Sequence, residues 1–110
     1  PTLAWICGPA DAFTDKAHHF RAGQTVKKQI ALLNDTLEQQ PYRAEVVVTV
    51  GDQAVARTGA SGFIDVARDV FVPIEFDVPE LRGEDVVNGS MTLTATIGGA
   101  SHTDTFDFRV

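Results

Sequence analysis

The C-terminal third of the chain alternates between apolar and polar residues with a period of two. Val70, Val72, Ile74, Phe76 and Val78 fall on one parity, with Glu75 and Asp77 on the other. Met91, Leu93, Ala95 and Ile97 alternate with Ser90, Thr92, Thr94 and Thr96; Phe106, Phe108 and Val110 alternate with Thr105, Asp107 and Arg109. Successive side chains on a strand point to opposite faces, so each run predicts a strand with one buried and one solvated side. Consecutive antiparallel strands of this kind predict a β-sandwich.

Upstream, Leu3 to Cys7 is an apolar run closed by Gly8-Pro9, a first strand feeding a loop. Phe13 to Gly23 reads as a polar connector framed by Phe13 and Phe20. In Thr25 to Leu33, Val26, Ile30 and Leu32 share a parity opposed by Lys27 and Gln29. A helix also accommodates this segment, but its shortness and its flanks, Gly23 before and Asn34-Asp35 after, decide for a strand. Tyr42 to Val50 carries Tyr42, Ala44, Val46, Val48 and Val50 on one face, and Gly51-Asp52 is its turn. Gln53 to Arg57 reads as a short returning arm, Thr58 to Gly62 as a loop and Phe63 to Val66 as a brief edge strand. Pro73 cannot donate to a ladder and marks an edge or a bulge. Pro79 to Gly83 is a crossing loop.

The expectation is one all-β domain over residues 1–110, an immunoglobulin-like antiparallel β-sandwich of about seven strands. Its predicted core is Trp5, Ile30, Leu32, Val46, Val48, Val72, Ile74, Phe76, Leu93, Ile97, Phe106 and Phe108.

Composition narrows the function classes. With 110 residues, 44% hydrophobic and 22% charged, the chain has enough material for one core. A formal net charge of -6 and the lack of any basic run argue against nucleic acid as a partner. No apolar run approaches the roughly 20 residues of a membrane-spanning helix. The single cysteine, Cys7, rules out an internal disulfide and reads as a small buried hydrophobe. The chain starts at Pro1 and its one methionine is Met91, which suggests a piece excised from a larger protein.

Little of the sequence suggests chemistry. Asp15-Lys16-Ala17-His18-His19 holds potential metal ligands, with Asp11 nearby. Adjacent histidines on extended chain diverge, however, and zinc needs three or four converging ligands. A polar loop packed through Phe13 or Phe20, whose Lys16, His18, His19 and Arg21 reach solvent or a partner domain, is the better account; no metal or other cofactor is expected. Asp104, Asp107, Glu75 and Asp77 offer carboxylates for glycoside chemistry, but parity puts Asp107, Glu75 and Asp77 on solvated faces. No nucleophile elbow or phosphate loop occurs, so the expectation is a chain that is not an enzyme by itself. Trp5 and Tyr42 are the aromatic candidates for stacking on sugar, and both fit strand patterns. Asn34-Asp35-Thr36 and Asn88-Gly89-Ser90 match the glycosylation acceptor pattern, which matters only in a eukaryotic secretory route.

Three phrases carry a resemblance: Phe13-Thr-Asp-Lys-Ala-His-His-Phe20, Ala22-Gly-Gln-Thr-Val-Lys-Lys-Gln29, and Leu33-Asn34-Asp35. They are similar to the opening of immunoglobulin-like accessory domains in bacterial glycoside hydrolases of the β-galactosidase and glycoside hydrolase family 2 type. Phe76-Asp77-Val78-Pro79 and Asp104-Thr-Phe-Asp-Phe108 resemble the endings of such domains. The resemblance implies a non-catalytic sandwich beside a barrel that carries the catalytic carboxylates, so no catalytic residue transfers to this chain. The partners it implies are neighbouring domains of a parent chain. A carbohydrate-binding module and a cell-surface adhesion module are the alternatives. Nothing in the residues names a compartment; of the choices, an extracytoplasmic one, periplasmic or secreted, is favoured.

Overall fold

The structure, a computed structural model, describes residues 1–8, 19–21, 23–79 and 87–110. Seven strands run through them: β1 (Thr2–Cys7), β2 (Thr25–Asn34), β3 (Gln40–Val50), β4 (Gln53–Ile64), β5 (Arg68–Asp77), β6 (Asn88–Ile97) and β7 (Ala100–Arg109). They form two antiparallel sheets, β1-β2-β5 and β4-β3-β6-β7. The expected all-β sandwich of seven strands is what forms. In the constant-type immunoglobulin arrangement the fourth strand extends the sheet that holds strands one, two and five. Here β4 pairs with β3 on the other sheet.

The alternating patterns fill the space between the sheets. Ile30, Leu32, Val46, Val48, Met91 and Leu93 are fully buried, with Ile74, Phe76, Ile97 and Phe108 close to it. Val72 and Phe106 are partly buried and pack against this cluster. The Phe108 ring lies 5.1 Å from Phe20 and 6.1 Å from Phe76, in tilted geometry. Gly89 makes room for it, since a Cβ there would run into the Phe108 ring. Pro73 sits on β5, an edge strand, as its missing N–H requires. The Gly51-Asp52 turn closes the β3–β4 hairpin, with Gly51 at a φ of 59° that glycine adopts without penalty.

Two expectations for the strands change, and one buried charge joins the core. Residues Gln53–Ile64 make one strand of 12 residues, where the sequence suggested an arm, a loop and a short strand. Pairing along the whole of β3 holds the glycines extended, with Val55 the extra residue of a bulge between the Val48↔Ala56 and Thr49↔Ala54 pairs. Trp5 is not a core residue: Ala4 and Ile6 take the inward parity of β1, which turns Trp5 outward and leaves it half-buried. Lys28 shares the inward parity of Val26, Ile30 and Leu32 and is 3% exposed, its Nζ 4.5 Å from the centroid of the Phe106 ring. A cation over an aromatic face recovers part of the solvation that burial removes.

Asn34, fully buried at the end of β2, ties the two sheets together. Its Nδ2 donates to the carbonyls of Glu38 (2.9 Å), Ile64 (2.9 Å) and Asp65 (3.3 Å). Its Oδ1 accepts from the Thr36 amide (3.1 Å) and hydroxyl (2.6 Å). The turn expected of Asn34-Asp35 is thus present, and it reaches across to the end of β4. Its burial also closes the Asn34-Asp35-Thr36 acceptor pattern to glycosylation in the folded state, whereas Asn88 is exposed at the start of β6.

Candidate interaction surfaces

The outward face of β1-β2-β5 is built by strand register. Leu3, Leu33 and Asp69 form one row; Trp5, Ala31 and Phe71 the next; Cys7, Gln29 and Pro73 the third. Leu3 is 52% and Phe71 43% exposed. Trp5 and Phe71 flank Ala31, which is 1% exposed despite its outward parity. The face turns polar beyond these rows, where Lys27 pairs with Glu75 and the Thr25 hydroxyl donates to Asp77 (2.7 Å). An apolar patch with a charged margin therefore occupies one end of this sheet. Patches of this kind mark contact surfaces more often than scattered exposed apolar residues do.

The outward face of β4-β3-β6-β7 is different. Thr92, Thr94 and Thr96 on β6 stand opposite Thr105, Thr103 and Ser101 on β7, and all six are exposed. Arg43 and Glu45 continue these rows on β3. Threonine satisfies both the β preference for a branched side chain and the demand of a wet face for a hydroxyl.

Of the predicted loop residues, Lys16 and His18 lie outside the described residues, as does Phe13. His19 and Arg21 are exposed. His19 forms an isolated bridge with Arg109, and the Arg21 amide donates to Gln24 Oε1 (2.9 Å). Phe20 is the anchor: it is 7% exposed, its ring meets Phe108, and its amide donates to the Arg109 carbonyl (2.8 Å). His19, Asn88, Asp107 and Arg109 line an open hollow of about 730 Å³ floored by Gly89 and Phe108. Its polar groups do not converge with Trp5, which stands on the outward face of the other sheet.

Glu75, Asp77 and Asp107 are exposed, on the solvated parity the pattern predicts. Asp104 has the opposite parity to Asp107, and its Oδ2 accepts the Ile6 amide (2.9 Å). Thr2 Oγ1 and His102 Nε2 are hydrogen-bonded at 2.7 Å beside it. These side chains join the β1 and β7 edges, a role that the pattern of β7 alone does not reveal. Among the described residues no group of three or more His, Cys, Asp or Glu is placed to hold a metal ion, and no helix is long and apolar enough to cross a membrane.

Cys7 is half-buried on the outward face, its thiol 3.5 Å from the Gln29 carbonyl. Burial pushes its pKa above the ordinary 9.0, opposed by the hydrogen bond to Gln29 and the charge of Lys28. A thiol held protonated is a poor nucleophile.

No protein-family model matches the chain, and no curated protein matches it.

Proposed function

We propose that this chain is a non-catalytic structural module of a larger bacterial glycoside hydrolase, whose apolar outward face seats a neighbouring domain of the same polypeptide. The observation that carries the reading is the patch around Leu3, Trp5 and Leu33, with Pro73 beside it. These side chains sit on the side of the sheet away from the core. Leu3 is 52% exposed and Trp5 half-buried, so burying each against a partner contributes a part of the roughly 1.5–3 kcal/mol that full burial of an apolar side chain is worth. The resemblance to glycoside hydrolase accessory domains supports the identity of that partner. Catalysis then belongs to the neighbouring domain, and this module holds it in place.

Acrylamide quenching of Trp5, the only tryptophan, tests the reading. Quenching is expected to be efficient in the 110-residue chain and to fall several-fold when the adjoining domain is attached. Equal quenching in the two would overturn the proposal. The half-buried Trp5 ring, flanking Ala31 opposite Phe71, supports a second reading as a stacking platform for sugar. Titration with galactosides, mannosides and plant polysaccharides separates the two, because only a carbohydrate-binding module would show saturable quenching of Trp5.

A further inference from the structure

Two sheets have four edges, and three of these are blunted. An uncovered edge presents unpaired N–H and C=O groups that template pairing with another chain, and proteins block this with prolines, charges, bulges or covering groups. On β1 the Ile6 amide is taken by Asp104 and Thr2 is held by His102. On β7 the Arg109 carbonyl is taken by the Phe20 amide, and His19 bridges to the same residue. On β5, Pro73 removes a donor, and Arg68, Asp69, Glu75 and Asp77 add charge.

Among the described residues, the β4 edge has none of these over most of its length. Its bulge at Val55 lies near the hairpin turn, and residues 56–64 are then in uninterrupted register with β3. The strand contains no proline, and Arg57 is its one charged residue. Gly59, Ala60 and Ser61, with Arg43, Ala44 and Glu45 of β3, line a shallow hollow of about 380 Å³, so among the described residues no bulky side chain guards the middle of the edge. At its two ends stand Arg57 and Phe63, each 67% exposed and both on the outward parity.

We infer that β4 is a self-pairing edge, along which two copies of this chain join antiparallel about a two-fold axis through Ala60. An isologous contact requires a surface complementary to itself. Ala60 is the midpoint of the regular stretch 56–64, so this register pairs the whole of it. The same register sets Gly59 opposite Ser61 and Arg57 opposite Phe63, twice by symmetry. The small residues meet at the axis without clash, and each guanidinium covers the exposed ring of the other copy. Arg57 gives up little, since its ion pair with Glu45 spans 3.6 Å between exposed side chains. The product is one continuous eight-stranded sheet, and the contact is separate from the apolar face of β1-β2-β5.

Sedimentation equilibrium on the 110-residue chain tests the inference, together with three sets of variants. The wild type is expected to approach twice its 11.9 kDa mass as concentration rises. Gly59→Lys combined with Ser61→Lys sets lysines opposite lysines across the axis and is expected to weaken association at least tenfold. Among the described residues a Cβ at Gly59 meets only the Ala44 carbonyl oxygen, at 3.7 Å, so the fold has room for the change. In a Cys7→Ser background, Ala60→Cys is expected to cross-link under mild oxidation at least tenfold faster than Thr58→Cys. Only residue 60 faces its own copy within the roughly 4.4–6.8 Å between Cα atoms that a disulfide needs. A monomer at every concentration overturns the inference, as do a dimer indifferent to the lysines and equal cross-linking at 58 and 60. Should the lysine variant fail to fold, the cross-linking pair decides.

Discussion

The outward faces of the two sheets share a backbone geometry and differ in chemistry. Row by row, β6 and β7 present threonine and serine to solvent, while β1, β2 and β5 present Leu3, Trp5, Leu33, Phe71 and Pro73. The core does not demand this difference, because inward side chains alone fill the space between the sheets. Outward positions are free to follow whatever lies beyond them. A hydroxyl face suits water, and an apolar face suits another surface. In this molecule the proposed docking role rests on the asymmetry between the sheets, not on any group of titratable residues.

The comparison depends on both sheets holding their relative position, and the largest expected effect is at their joint. Asn34→Ala takes the Nδ2 donor from the buried Ile64 carbonyl and the Oδ1 acceptor from the Thr36 amide, while the Asp65 carbonyl keeps the Arg68 amide as a donor (3.2 Å). A loss of about 2–4 kcal/mol in urea denaturation is expected, since each buried group left unpaired costs about 1–3 kcal/mol. A loss under about 0.5 kcal/mol would mean that packing alone sets the sheets in place.

Substituting the faces themselves should give a smaller and unequal response. Trp5→Thr removes a ring that flanks Ala31 and is expected to destabilise by about 1–2 kcal/mol, a part of the value of a fully buried side chain. Thr94→Val on the hydroxyl face should stay within about 0.5 kcal/mol, as surface substitutions away from special features do. Thermal melts of the two variants measure the difference. Equal changes would reduce the contrast between the faces to composition without energetic meaning.

The smallest effect concerns the margin of the apolar face. Because burial raises the Cys7 pKa, the folded chain holds this proton more tightly than the unfolded chain does. The resulting stability is fully present below the ordinary value of 9.0 and is lost as pH rises through the higher folded value. Wild type should therefore lose stability relative to Cys7→Ala as pH climbs above about 9, in denaturation curves run at several pH values. Parallel curves would place the thiol in water, and the patch would end before Cys7.

Strand parity explains which of these features were legible beforehand. Strict alternation marked β3, β5, β6 and β7, and with them the inward residues from Val46 to Phe108, because a period of two has one solution when each strand has one wet face. It also put Asp107 and the threonines of β6 outward. Leu3 to Cys7 has no alternation, so both parities fit the same residues, and only pairing with Ile30 and Leu32 turned Ile6 and Ala4 inward and Trp5 out. The apolar face was hidden for that reason.

What the sequence by itself determined was the fold class, the hairpin turn at Gly51-Asp52, the edge position of Pro73 and most of the core, all local consequences of side-chain period and backbone freedom. Contacts far apart in the chain decided the rest. The glycine-rich run from Thr58 to Gly62 has no strand preference of its own and is extended because β3 supplies its hydrogen bonds. Lys28 sits inside because the Phe106 ring of a distant strand lies beneath it. Asp104 closes the β1 edge because the sandwich brings β7 beside it, 98 residues away along the chain from Ile6. Period and propensity act within a strand, whereas the choice of which face, edge or ring a side chain meets is made between strands, where only the assembled sandwich holds the information.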